Sequence, residues 1–197
     1  MTQPPRKPKR KPPAGPRTGE KPLGARNDAP DGPEDPTRLR IRRLDGNRVA
    51  LLEPITALDR KEDIDEVRTM IAAGELEIAR DELLYLVSDC RGFLEAHNLL
   101  GELALEEDDV SLAQGHFGFA YEIGMDSLPP GFKGRLPANK EYNAAFFLAG
   151  RGVARCLIAR GQDAKGREVL EQLARLDPQE EHVRGLLAEL KERESSK

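Results

Sequence analysis

Apolar and polar positions along this chain follow a pattern that repeats every 34 residues. The segment 74–83 recurs as 108–117, and a third copy, 161–170, follows after 19 further inserted residues. Each copy has a small residue at its sixth position and a large apolar residue at its tenth. Self-similarity at this period is typical of stacked helix–turn–helix units. The sequence therefore predicts an all-α fold built from antiparallel helix pairs.

The spacing of apolar residues within each unit predicts where the helices lie. Apolar stripes with helical periodicity end at glycine or at turn residues. Gly124 is expected to cap the fourth helix, and a strongly charged last helix is expected to cap the stack. The predicted helices cover 59–74, 76–87, 94–105, 110–123, 139–160, 163–176 and 179–193.

The inserted segment 125–139 interrupts this pattern. It contains three prolines and two glycines, so it is predicted to form a loop. Loops of this length inside a compact domain are usually functional or disordered. We expect the loop to pack on the helices and to rim or fill their concave groove through its apolar residues, which are Met125, Leu128, Phe132 and Leu136.

Residues 37–58 have a different character. Polar and apolar residues alternate over 38–42, Asp45-Gly46-Asn47 is a turn signal, and 49–52 is apolar. This arrangement favours a small β-hairpin, and an extended arm laid along the first helices fits it equally well. A lone hairpin is marginally stable in water, so either form has to pack on the helices of 59–197.

Residues 1–36 hold ten of the fifteen prolines and almost no large apolar residues, which predicts a disordered tail. Eight Lys or Arg against one acid lie in 1–26, and the remainder of the chain therefore carries a net charge of −11. This basic tail could contact phosphates of a nucleic acid or a ribosome without sequence preference. A solubilising linker is the alternative. The basic cluster comprises Arg6, Lys7, Lys9, Arg10 and Lys11.

Over about 59–193 the residues resemble the tetratricopeptide repeat family. The middle unit carries Leu100-Gly101 in its first helix, then Ala113 and Phe117 in its second, and the third unit ends at Asp177-Pro178. The first unit is degenerate and lacks a terminating proline. The large aromatic residue that the family favours early in the first helix is replaced by His97 and Gly150. The resemblance implies a non-enzymatic scaffold that binds peptides or protein surfaces.

Family members bind partners along a concave groove lined by first-helix residues, and the resemblance carries that role to five positions here. Arg151 and Arg155 are four residues apart on one helix face and could grip a carboxylate together. The alternative is that these charges pair with one another on a solvated surface. The five predicted groove residues are Arg68, Asn98, Glu102, Arg151 and Arg155.

The three histidines give little support for metal binding or catalysis. Neither His97 nor His116 has a second ligand four residues on, so we expect both to pack between helices and His182 to lie at the surface. No nucleophile–base pair is evident, and no cofactor or metal is predicted. Cys90 and Cys156 are expected to be buried thiols.

Without an apolar segment long enough to cross a membrane, the protein is expected to be cytoplasmic, with no membrane partner. The sequence thus predicts an adaptor or assembly scaffold that recognises a protein or peptide, with a nucleic-acid-associated protein as the alternative.

Overall fold

A computed structural model describes residues 35–196 of the 197-residue chain. Within this range the chain is mainly helical, with one small antiparallel sheet near its start. The elements are β1 (Arg40–Leu44), β2 (Arg48–Leu52), α1 (Ile55–Asp59), α2 (Lys61–Ala73), α3 (Leu76–Asp89), α4 (Leu94–Glu106), α5 (Val110–Asp126), α6 (Glu141–Ala159), α7 (Asp163–Leu176) and α8 (Glu181–Ser195).

The helix bounds follow the sequence pattern closely. Helices α3 and α5 begin at Leu76 and Val110, which are 34 residues apart. Helix α2 ends where Gly74 adopts a left-handed conformation with φ of 79°, which glycine tolerates without a steric penalty. The bounds predicted for the helices at 94–105 and 163–176 differ from α4 and α7 by at most one residue.

From α2 to α8, each helix packs against the next one along the chain, and α4 also packs against α6. Buried aliphatic side chains of α2, α3 and α4 form one hydrophobic cluster, which includes Ile64, Val67 and Leu83. A second cluster joins α6, α7 and α8 to the hairpin and includes Phe146 and Leu173. None of the helices in 35–196 has both the length and the apolarity to cross a membrane.

Phe117 of α5 lies between two glycines of neighbouring helices. A Cβ atom placed on Gly101 of α4 would approach the Phe117 ring to 2.8 Å, and one placed on Gly152 of α6 would approach it to 2.5 Å. Real carbon atoms do not come this close. The absence of side chains at these two positions therefore lets α4 and α6 approach the two sides of the ring.

The prediction that Gly124 caps α5 is wrong. Helix α5 continues to Asp126, and Gly124 is buried inside it. A Cβ atom there would lie 2.3 Å from the ring of Phe146, so the glycine is needed for close packing against α6. The loop predicted over 125–139 consequently begins two residues later and runs over 127–140, up to the start of α6 at Glu141.

The N-terminal segment forms the hairpin rather than the extended arm. Strands β1 and β2 pair antiparallel with Ile41 opposite Leu51, and the turn places Gly46 and Asn47 at positive φ. The short helix α1 follows directly and was not predicted. Four of its five residues precede the predicted start of helix at position 59.

The loop 127–140 binds both the hairpin and the end of α7. Its Arg135 donates its amide hydrogen to Asn47 O at 3.0 Å and accepts one from Val49 at 2.9 Å. The amide of Leu136 donates to Leu176 O at 3.0 Å. Leu128 and Leu136 are buried, as expected for apolar anchors.

Asn143 of α6 fastens the hairpin and the loop to the helices. Its side-chain amide donates to Pro137 O at 3.1 Å and to Val49 O at 3.3 Å. At the other side of the hairpin, Cys90 at the end of α3 contacts Thr37 O at 3.8 Å. The segment from Thr37 to Leu52 therefore lies where α3 ends and α6 begins.

Candidate functional site

Two of the three predicted groove residues of α2 and α4, Arg68 and Asn98, make side-chain contacts within the protein. Arg68 forms ion pairs with Asp65, at 3.0 Å, and with Glu95. Asn98 is only 2% exposed and donates to Ala145 O of α6 at 2.8 Å, so it joins two helices instead of lining an open groove. Glu102 is exposed, and partial burial followed by the nearby Glu106 raises the pKa of its carboxyl while Arg68 lowers it.

Arg151 and Arg155 do not form a pair of free guanidinium groups. Arg151 is mostly buried and bonds to the carboxylate of Glu180, which also accepts the amide hydrogen of Val183 at the start of α8. Arg155 is exposed and has no ion-pair partner among residues 35–196. Arg151 is therefore already bound to a carboxylate, and that carboxylate belongs to the protein itself.

The predicted polyanion contacts of the N-terminal tail lie outside the described residues. They are Arg6, Lys7, Lys9, Arg10 and Lys11.

His97 and His116 contact each other between α4 and α5. Their Nδ1 atoms are 3.5 Å apart, and the tautomers of the two rings decide which nitrogen is the donor. Burial, followed by the proximity of His116, lowers the pKa of His97 to about 4, and burial also lowers the pKa of His116. The packed arrangement expected from the sequence is present, but Nε2 of the buried His97 has no hydrogen-bond partner among residues 35–196.

These two histidines lie in an open groove between α3 and α5, here called the α3–α5 groove. It has a volume of about 480 Å³. Leu84 and Val87 line it from α3, and the side chain of His97 reaches it from α4. The α5 wall comprises Leu112, Gly115, His116 and Phe119.

The mouth of the α3–α5 groove is apolar and exposed. Leu84 and Leu112 are 44% and 45% exposed, although both belong to helices with a well-packed opposite face. Gly115 adds no side chain to the α5 wall, and no atom of residues 35–196 lies within 4 Å of the position that its Cβ would occupy. Exposed apolar patches of this kind are typical of surfaces that bind other molecules.

Arg91, in the turn between α3 and α4, lies at one end of the groove. Its guanidinium carbon is 5.3 Å from the centre of the Phe119 ring, which is within the range of a cation–π interaction. Arg91 is exposed and forms no ion pair within the described part of the chain. The groove therefore combines apolar walls with a positively charged end.

Sequence reasoning missed this site, although one signal was present. Leu83 and Leu84 are adjacent on α3, and two consecutive residues of a helix point about 100° apart. Leu83 is fully buried, so Leu84 has to turn toward the side of the helix. Nothing local marks Arg91 or Gly115 as part of the same surface, because the surface forms only when α3 and α5 meet around His97.

The described residues contain no group of three or more His, Cys, Asp or Glu side chains placed to hold a metal ion. Cys90 and Cys156 are buried free thiols, as predicted, and burial raises the pKa of Cys90 to about 11. His182 is exposed and lies 3.3 Å from Glu180.

Compared with known proteins, the chain matches no family model and no curated protein.

Proposed function

We propose that this protein is a non-catalytic recognition scaffold that binds a segment of another protein. The observation that carries the proposal is the α3–α5 groove, whose apolar mouth is open to solvent. Exposed leucines at the mouth of a pocket of about 480 Å³ are a feature of protein-binding surfaces, and the volume falls in the usual range of ~300–1,000 Å³ for ligand sites.

The scaffold is proposed to be of the tetratricopeptide repeat type. The spacing of α3 and α5, the close approach at Gly101 and the sequential packing of the helices support this assignment. Helices that pack mainly on their neighbours present long surfaces relative to their core, which suits a binding role. The groove predicted from the family resemblance is a weaker candidate here, since Arg68 and Arg151 already have carboxylate partners.

The test is site-specific photo-crosslinking, with the photoreactive residue at Leu112 of the full chain in lysate of the source organism. A recurrent cross-linked protein is then purified, and its affinity is measured by calorimetry for the native chain and for two variants. Gly115→Trp fills the α3–α5 groove. Gly185→Trp is the matched control, because Gly185 of α8 also has no atom within 4 Å of its Cβ position.

We expect Gly115→Trp to weaken binding at least tenfold and Gly185→Trp to leave it unchanged. Absence of any cross-linked protein above background would contradict the proposed function. Equal affinity of the native chain and Gly115→Trp would contradict the assignment of the groove.

A further inference from the structure

The structure indicates what chemistry a partner needs in order to occupy the α3–α5 groove. Leu84, Val87 and Leu112 make the groove lining apolar. At Gly115 no side chain projects into the groove, which leaves space there. One large apolar side chain, such as Leu, Met or Phe, is the group that removes most of this surface from water.

The two ends of the groove differ in charge. Arg80 lies one turn before Leu84 on α3, and it is paired with Glu107 just before α5. The carboxylate of Asp109, which accepts the amide hydrogen of Leu112 at 2.9 Å, also lies near that end, so that end presents no excess of positive charge. The other end holds Arg91 above Phe119, with no acidic partner within residues 35–196.

The acids nearest to Arg91 in sequence are engaged elsewhere. Asp89 pairs with Arg60 at 3.2 Å, and Glu95 pairs with Arg68. Other arginines of the described residues, such as Arg155, also lack an ion pair, and Arg91 differs from them because it lines the α3–α5 groove. The stacking on Phe119 also holds the guanidinium in place with its N–H donors available.

We propose that the α3–α5 groove binds a partner segment that inserts one large apolar side chain between Leu84 and Leu112 and places a carboxylate on Arg91. Bidentate pairing of a guanidinium with a carboxylate fixes the direction of the bound segment. The half-buried imidazole of His116 lines the wall between these two anchors and offers a hydrogen bond to the segment's backbone. The assignment rests on the proposed function and specifies its ligand.

The carboxylate has two chemical sources, an Asp or Glu side chain and the C-terminus of the partner. Two random peptide libraries displayed against the full-length chain distinguish them, one with free C-termini and one with both ends joined to the display protein. Enrichment of a large apolar residue next to Asp or Glu in both libraries indicates a side-chain carboxylate. Enrichment of a C-terminal apolar residue in the first library alone indicates the terminus.

Selected peptides are then synthesised, and their affinities are measured by fluorescence anisotropy. We expect Gly115→Trp to weaken binding at least tenfold, and Gly185→Trp to leave it unchanged. Arg91→Gln is expected to weaken acidic peptides at least fivefold while leaving their amide analogues unaffected. The melting temperatures of all variants are compared, so that unfolding is not mistaken for loss of binding.

Three results would overturn the inference. They are enrichment of peptides without an acid, affinity that Gly115→Trp does not change, and an equal effect of Arg91→Gln on acidic and amide peptides. In the second case the peptides bind elsewhere on the chain, so protein recognition survives while the groove assignment fails. Self-association abolished by Gly115→Trp, with no peptide enriched, would instead identify a second copy as the occupant.

Discussion

The side-chain oxygen Oδ1 of Asn143 accepts the backbone amide hydrogen of Leu51 at 2.9 Å. Both residues are almost completely buried, and the side-chain nitrogen of Asn143 donates to two further carbonyl groups. One side chain of α6 therefore satisfies three backbone groups of the hairpin and the loop. Buried backbone groups left without partners are costly, so this contact is a main attachment of the hairpin.

Asn143→Ala is expected to lower the free energy of unfolding by ~2–4 kcal/mol, because it leaves several buried polar groups unsatisfied. Asn139→Ala is the control, since Asn139 is exposed and its side chain makes no hydrogen bond within residues 35–196. Urea denaturation measures both. Hydrogen exchange at the Leu51 amide should accelerate in Asn143→Ala, and equal stability of the two variants would contradict this role.

Replacement of Gly152 by a larger residue is expected to destabilise the fold. Gly152→Ala should destabilise the fold by ~1–3 kcal/mol through overpacking against Phe117, even though alanine favours helices by nearly 1 kcal/mol. Gly115→Ala tests the reverse case, because the added Cβ enters open space. This substitution should raise the melting temperature, since alanine favours the helix. A stabilising effect of Gly152→Ala would show that α6 lies farther from the Phe117 ring than described.

Arg151 is expected to be a stability residue. Arg151→Ala leaves the buried Glu180 carboxylate without its cation, which should cost ~3 kcal/mol or more, whereas the exposed Arg155→Ala should change stability by less than ~0.5 kcal/mol. Thermal unfolding of the two variants, four residues apart on one helix, makes the comparison direct. Similar melting temperatures would indicate that Arg151 is free to bind a ligand.

Stability should fall as the pH rises toward 8 because of Glu53. Burial, followed by the proximity of Glu95, raises the pKa of Glu53 to about 8, and the backbone amides of Leu94 and Glu95 only partly oppose this. Between the ordinary pKa and about 8, the folded state retains a proton that the unfolded state has released. Glu53→Gln should therefore reduce this loss of stability.

The measurement is urea denaturation of Glu53→Gln and the native chain from pH 5 to pH 9, with the exposed Glu66→Gln as control. The native chain and Glu66→Gln should lose stability in parallel as the pH rises, and Glu53→Gln should lose less. Parallel curves for all three proteins would show that Glu53 is ionised in the fold.

Because of His97, the stability of the fold should also decrease as the pH falls below neutrality. The pKa of His97 is lowered from 6.5 to about 4. Between these two pH values the unfolded chain therefore binds a proton that the folded chain does not. The contribution of His97 to stability is therefore present at neutral pH and is lost as the pH falls through this interval. A histidine-resolved NMR titration checks the cause, and a His97 midpoint near 6.5 would contradict it.

The helices were predictable from the sequence because their signals are local. The stripe of apolar residues in 163–176 and the Asp177-Pro178 that ends it lie within a few turns of each other, and α7 has those bounds. Gly124 shows where local reasoning fails. A glycine after an apolar run is typical of a helix end, but the contact that decides its role is with Phe146, 22 residues further on.

The candidate site was less predictable, for the same reason. The charge pattern of α6 placed Arg151 and Arg155 on one face, but the burial of Glu180 against Arg151 depends on how α8 packs. Likewise, Leu112 is a large apolar residue in the apolar run of α5 and is nevertheless 45% exposed. Exposure of an apolar position depends on the distance between neighbouring helices, which no single helix encodes.

The bond between Leu51 and Asn143 joins residues 92 positions apart in the chain. Helices that contact only their sequence neighbours can unzip one pair at a time from either end, and further pairs can be added or lost with little effect on the rest. Here the strand next to the first helices is bonded to α6, and the loop before α6 is bonded to the end of α7. Separation of the hairpin or of α7 has to break this closed circuit of contacts, which favours a single cooperative unfolding transition of the part of the chain from the hairpin to α7.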